Sequence, residues 1–287
     1  MSQNKSIGIL YICTGNYSLF WEGFHESFER YFLPNTTKNY YVFTDDLQKI
    51  RRLGGARFYH IDPLPWPLIT LLRFHYFTRF KDEIINNDYL MFANSNLVCR
   101  KTITEEEFLP DDSQELTVGI HYGFWNLKPR FFTYERDRKS RAYIPYNIGK
   151  NYMMGALMCG RTDNFMKMSE TLKTRINEDL ADRKIALWHD ESHFNKYVLE
   201  NRKLRVLTPS YGYAEGVNLP FEMKMELLDK RKHFDVSLFK RDESLALHKV
   251  LPKVTLLFRI KRKLKRILKR WKINFLYWRD TLLRRHI

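Results

Sequence analysis

A chain of 287 residues, 44% of them hydrophobic, is long enough to bury a full core as one large α/β domain, alone or with an appendage. Its three cysteines, Cys13, Cys99 and Cys159, lie far apart without CxxC or Cys/His ligand spacing, which excludes a zinc site and a disulfide framework and fits a reducing cytoplasm. The net charge of +16 argues for nucleic acid only until it is mapped: residues 248–287 carry 14 Lys/Arg and a single acid, so a nearly neutral body bears a short basic tail.

The first apolar run, Ile7 to Cys13, is too short for a secretory leader with its cleavage site and reads as a core strand. Leu19, Phe20, Phe24, Phe28 and Phe32 then recur at helical spacing across Ser18–Phe32. Asn39–Phe43 is a short strand running into Thr44-Asp45-Asp46, and Ala56–Ile61 is a third. Pro67 suits the first turn of a helix reaching about Asn86. Tyr89–Ala93 is a buried strand that ends in Asn94-Ser95-Asn96.

Strands alternating with helices predict a largely parallel sheet covered on both faces, with ligands bound beyond the carboxyl ends of the strands. That points to Thr14–Tyr17, Thr44-Asp45 and Asn94–Asn96. The second half predicts strands at Leu116–His121 and Leu204–Leu207 and helices at Asp163–Ile176 and Asp190–Glu200. No linker is evident before about Leu245. No stretch approaches the roughly 20 apolar residues of a spanning helix, so the chain is expected not to cross a membrane.

In the tail, Leu257, Ile260, Leu264, Ile267, Trp271, Phe275, Trp278 and Leu282 recur every three or four residues, and Lys and Arg fill the opposite face. This is the pattern of a helix lying in the interface of an anionic leaflet, with docking on its own domain as the alternative. Phosphate binding needs no apolar stripe, which argues against nucleic acid.

The densest group of reactive side chains is Trp188-His189-Asp190-Glu191-Ser192-His193. By itself it reads as a helix start capped by Asp190, with the acids at the positive end of the helix dipole. The spacing is not the HExxH of a zinc protease.

With YICTGNY (11–17), YYVFTD (40–45), WP..TLLRFH (66–75), DYLMFANSN (88–96), HYGF (121–124), FTYER (132–136), AYIP (142–145), WHDESHFNKY (188–197) and VLTPSYGY (206–213), the chain resembles the family 6 glycosyltransferases. That group includes the histo-blood-group A and B transferases, α-1,3-galactosyltransferases and smaller bacterial relatives.

The resemblance implies an α/β glycosyltransferase-A fold over residues 1–244. Its nucleotide-binding half would span about 1–115 and its acceptor-binding half 116–244, with 245–287 as the basic amphipathic helix. It implies a retaining transfer from a UDP-sugar to a galactoside glycan, with an α-1,3 linkage, and the basic tail would place that transfer on the cytoplasmic face of a membrane. Glu191 would be the carboxylate at the anomeric carbon and Asp190 would hold donor hydroxyls. Thr14, Tyr17, Thr44, Asp45, Arg73, Asn94, Ser95, Asn96 and Lys230 would also serve the donor. His121, Thr133 and Trp188 would serve the acceptor, although Thr133 would also touch the donor.

Many members have Asp-x-Asp where this chain has Asn94-Ser95-Asn96. Neutral carboxamides are weak ligands for Mn²⁺ or Mg²⁺, so no metal or other cofactor is expected, and Lys230, Arg231 or Lys232 would meet the diphosphate. By the same resemblance Met154-Gly155-Ala156 would bind the donor, lining the pocket around its C2 substituent, and it resembles the galactose-transferring type, whereas Gly123 is the small residue of the N-acetylgalactosamine type. The competing readings are a non-catalytic glycan-binding module, a membrane-surface protein, and an inverting transferase or glycosidase.

Overall fold

The computed structural model describes residues 5–236. The predicted basic helix within 245–287 lies outside the described residues.

Ten strands and seven α-helices form a mixed α/β body. In chain order they are β1 (Ser6–Ile12), α1 (Trp21–Tyr31), β2 (Thr37–Thr44), β3 (Ala56–His60), α2 (Leu68–Leu71), α3 (Arg73–Arg79), α4 (Lys81–Ile84), β4 (Tyr89–Ala93), β5 (Leu97–Cys99) and α5 (Glu105–Phe108). The second half adds β6 (Leu116–Ile120), β7 (Met153–Arg161), α6 (Thr162–Ala181), α7 (His189–Glu200), β8 (Leu204–Leu207), β9 (Tyr213–Ala214) and β10 (Met225–Leu227).

The central sheet runs β3-β2-β1-β4-β7-β6-β8. The sheet is largely parallel as expected but mixed, because β7 is antiparallel to both neighbours, β4 and β6. Because β7 runs backwards, its first residues lie beside the carboxyl end of β4, where the Asn94 N–H donates to the Ala156 carbonyl at 2.9 Å. Strands from both expected halves thus share one sheet.

Both faces are covered. Leu10, Phe92 and Met158 pack with Phe74, Phe77, Leu172 and Phe194 from α3, α6 and α7. Ile9, Met91 and Cys159 pack with Trp21, Phe24 and Phe28 of α1. Beside β10 a smaller sheet, β5-β10-β9, closes the second face.

Two expectations about helices change. The single helix over 67–86 is three short ones, broken at Leu72 (φ −94°, ψ 11°) and Phe80 (φ −102°, ψ 28°), neither of which is helical. The helix expected from Ser18 is a 3₁₀ turn, Gly15–Phe20, that leads into α1. None of the described helices is long and apolar enough to cross a membrane.

Candidate active site

The WHDESH segment starts α7, but Asp190 does not cap it as expected. The residue before the first helical turn is Trp188, whose N–H donates to Ser192 Oγ at 2.9 Å while its carbonyl accepts from the Ser192 N–H. Asp190 lies inside the first turn and turns inward. Its Oδ2 stands 3.2 Å from a guanidinium nitrogen of Arg73, both residues almost wholly buried at 4% and 5% exposure.

Helix α7 is fastened to β7 through Asn195. Its carboxamide accepts from the Met153 N–H and donates to the Met153 carbonyl, both at 2.9 Å, as a neighbouring strand would. It also donates to the carbonyl of Glu191. Held there, Glu191 is gripped at both oxygens: Tyr152 donates its hydroxyl to Oε1 at 2.8 Å and Gly155 its N–H to Oε2 at 2.7 Å. Tyr152 in turn stacks on Tyr134 within a cluster with Phe132 and Ile144.

Burial raises both carboxyl pKa values. Asp190 goes from 3.8 to about 7, against the pull of Arg73 and with help from Glu191. Glu191 rises less freely, since the Gly155 and Tyr152 hydrogen bonds favour its charged form. Arg73 donates to the Gly155 carbonyl at 2.7 Å and lies over the Phe92 ring, so strand, acid pair and cation form one unit.

The loops expected at the donor side converge on the same edge of the sheet. Tyr17 lies 3.4 Å from Lys230 Nζ, which also stands over its ring, and Phe234 packs edge-on against it. Burial, and after it the nearby charge of Arg73, lower the Lys230 pKa. The three candidate cations separate here. Arg231 pairs with Asp229 at 2.7 Å and Lys232 with Glu215 at 2.5 Å, whereas Lys230 has no acidic partner among the described residues.

Asp45 accepts from the Gly15 N–H and so shapes the Thr14–Tyr17 turn. Two donor-side expectations are corrected. Thr44 is fully buried, its hydroxyl accepting from the Asp46 N–H, and offers no surface to a ligand. Met154, 1% exposed, points into the second core cluster and fills the gaps left by Gly119 and Gly212, while Gly155 alone touches Glu191. Ala156, 8% exposed, lies in the same cluster, and its carbonyl accepts from the Asn94 N–H.

On the acceptor side, His121 ends β6 with its ring packed on Tyr122 and Phe124. Its Nδ1 accepts from the Gly123 N–H, and burial lowers its pKa to about 4, so it is neutral at pH 7. Trp188 is 45% exposed, an uncovered ring at the mouth. Thr133 lies behind Tyr152 with a buried hydroxyl.

The sequence reading missed Tyr152, Asn195 and Glu135. Glu135 accepts from the Leu187 N–H at 2.6 Å and so sets the approach to α7, while Arg136 donates to the carbonyls of Ile144 and Pro145. The motifs FTYER and AYIP thus brace each other and the approach to α7.

Asn94, Ser95 and Asn96 form the turn between β4 and β5. The Ser95 carbonyl accepts from Tyr11, and the Asn96 carboxamide donates to the Leu228 carbonyl. Two neutral amides, one of them already engaged, are a poor donor set for a hard divalent cation. Among the described residues, no three His, Cys, Asp or Glu gather where they could hold one.

The family model for glycosyltransferase family 6 matches residues 1–236. The chain belongs to this family. It is 33% identical over 227 residues to the O-antigen biosynthesis glycosyltransferase WbnI of Escherichia coli, across 79% of this chain and 95% of that protein. It is 30% identical to the histo-blood group ABO system transferase 2 of Rattus norvegicus, across 73% of this chain and 64% of that one. A further 30% match is the globoside alpha-1,3-N-acetylgalactosaminyltransferase 1 of Mus musculus, across 77% and 65%. The chain therefore spans less than two thirds of either rodent relative. Membership makes it a glycosyltransferase, and the mixed sheet with helices on both faces is the glycosyltransferase-A type of the family.

Proposed function

We propose that this family 6 member is a retaining, metal-independent hexosyltransferase that moves galactose or N-acetylgalactosamine from a UDP-sugar to a galactoside, in an α-1,3 linkage, during cell-surface glycan synthesis. The observation that carries the reading is the site at the edge of β7. Glu191, with both oxygens anchored, stands beside Asp190 and Arg73, and the cleft cation Lys230 stands by Tyr17.

The roles follow from the chemistry. Tyr17 and the Thr14 turn line the uridine, and Lys230 with Arg73 offsets the diphosphate charge that develops as the glycosidic bond breaks. Asp190 Oδ2 accepts no hydrogen bond within the described protein, so it can take a donor hydroxyl. Glu191 supplies negative charge at the anomeric carbon. It acts as a nucleophile or shields a front-side attack, and either course keeps the configuration. The acceptor lies on Trp188 and against neutral His121.

A nucleotide-release screen of UDP-sugars with fucosylated and unfucosylated galactosides tests this. UDP release with neither acceptor, from any donor, overturns it. We further propose that the basic segment 245–287 holds the enzyme on the inner, anionic face of the membrane, near a lipid-linked acceptor. Truncation after Leu251 should then abolish cosedimentation with anionic vesicles and leave transfer to a soluble acceptor intact. Vesicle binding by the truncated chain overturns that part.

A further inference from the structure

β5 and β10 pair antiparallel, and their last rung joins Leu97 to Leu227. One step further the pairing continues in a different form. The Leu228 N–H donates to the Asn96 carbonyl at 2.9 Å, and the Asn96 carboxamide donates back to the Leu228 carbonyl at 2.7 Å. Both main-chain groups of Leu228 are thereby fixed by one residue. Next, the Asp229 N–H donates to Glu215 at 2.6 Å, and the Asp229 side chain caps the turn Lys230–Lys232. Lys230 is therefore set in place from two residues upstream.

We propose that Asn96 is the positioning residue that delivers Lys230 to the donor diphosphate. The inference rests on the nucleotide-sugar reading above and assigns to Asn96 a task that an aspartate cannot perform. A carboxylate in that place would set one oxygen against the Leu228 carbonyl oxygen and leave a charge in a site only 4% exposed. The carboxamide donates instead.

Calorimetric titration of the full chain with UDP and with uridine tests this, in wild type, Asn96→Asp, Lys230→Ala and the double variant. Asn96→Asp should weaken UDP about tenfold, the scale of a hydrogen-bonded charge contact, and leave uridine within twofold. The double variant should bind UDP no worse than Lys230→Ala, and Mn²⁺ should restore nothing. If Asn96→Asp does not fold, Asn96→Ala removes the same rung without a charge and should give the same split. UDP binding unchanged in these variants, or UDP and uridine weakened alike, overturns the proposal. Wild type that binds neither molecule overturns the nucleotide-sugar reading itself, and the latch with it.

Discussion

The Gly155 N–H donates to Glu191 Oε2 over 2.7 Å, and a Cβ on that glycine would stand 3.2 Å from Glu191 Cβ and 3.3 Å from the same oxygen. Helix α7 approaches β7 closely because residue 155 has no side chain, and the closeness fixes the carboxylate. Glu191→Gln keeps an acceptor for Gly155 and the same volume while removing the charge. Turnover should fall by about two to three orders of magnitude, the scale of losing an electrostatic catalyst, with the melting temperature nearly unchanged. Wild-type turnover measured in the variant rules Glu191 out.

The acid limb of the pH profile should belong to Asp190. Burial lifts its carboxyl to about 7, and below that it is neutral and no longer balances Arg73. We expect kcat/KM to drop as pH falls through about 7, toward tenfold per unit. The stability sign is the reverse. A carboxyl raised in the folded state contributes stability that is full below its unfolded value, near 4, and is lost as pH rises through about 7. Asp190→Asn should abolish the limb, and an unchanged limb in that variant assigns it elsewhere.

Chelation should cost nothing. With Asn94 and Asn96 at the turn and Lys230 in the cleft, rates in excess EDTA should match rates in Mn²⁺. An enzyme silenced by EDTA and revived by Mn²⁺ contradicts this.

Donor choice should depend on Ala156. Its Cβ shares a face of β7 with Met154 and keeps the greater exposure of the two, 8% against 1%. An acetamido group needs that volume and a hydroxyl does not, a difference of about 1–3 kcal/mol, or roughly 10- to 200-fold. UDP-galactose should lead UDP-N-acetylgalactosamine in kcat/KM, and Ala156→Gly should narrow the gap. A wild-type preference for the N-acetylated donor refutes the steric argument and points to Gly123.

β1 to β4 were legible because each is a short apolar run between turn residues. β7 was not: MMGALMCGR is buried along nearly its whole length, so it shows no period, and Met and Gly carry little strand propensity. Asp190 and Glu191 stood out as a polar cluster, but residue chemistry alone gave a helix cap. Their inward turn depends on Arg73, more than a hundred positions away in the chain. Tyr152, Asn195 and Glu135 act through partners brought close only by folding, and no local pattern marks them. The separation of Lys230 from its two paired neighbours is invisible in the run Lys-Arg-Lys.

The backward course of β7 also bears on how the molecule assembles. β1 pairs with nearby β2 but also with β4, joining Ile7 to Tyr89, and β7 must then enter between β4 and β6, joining Leu157 to Ala93. Such distant pairings cost loop-closure entropy before they return contact energy, and they form slowly. On a growing chain β1 to β4 can pair before β7 has been made. α7 can rest on α6 and α2, but the oxygens of Glu191 gain their Tyr152 and Gly155 donors only once β7 is seated.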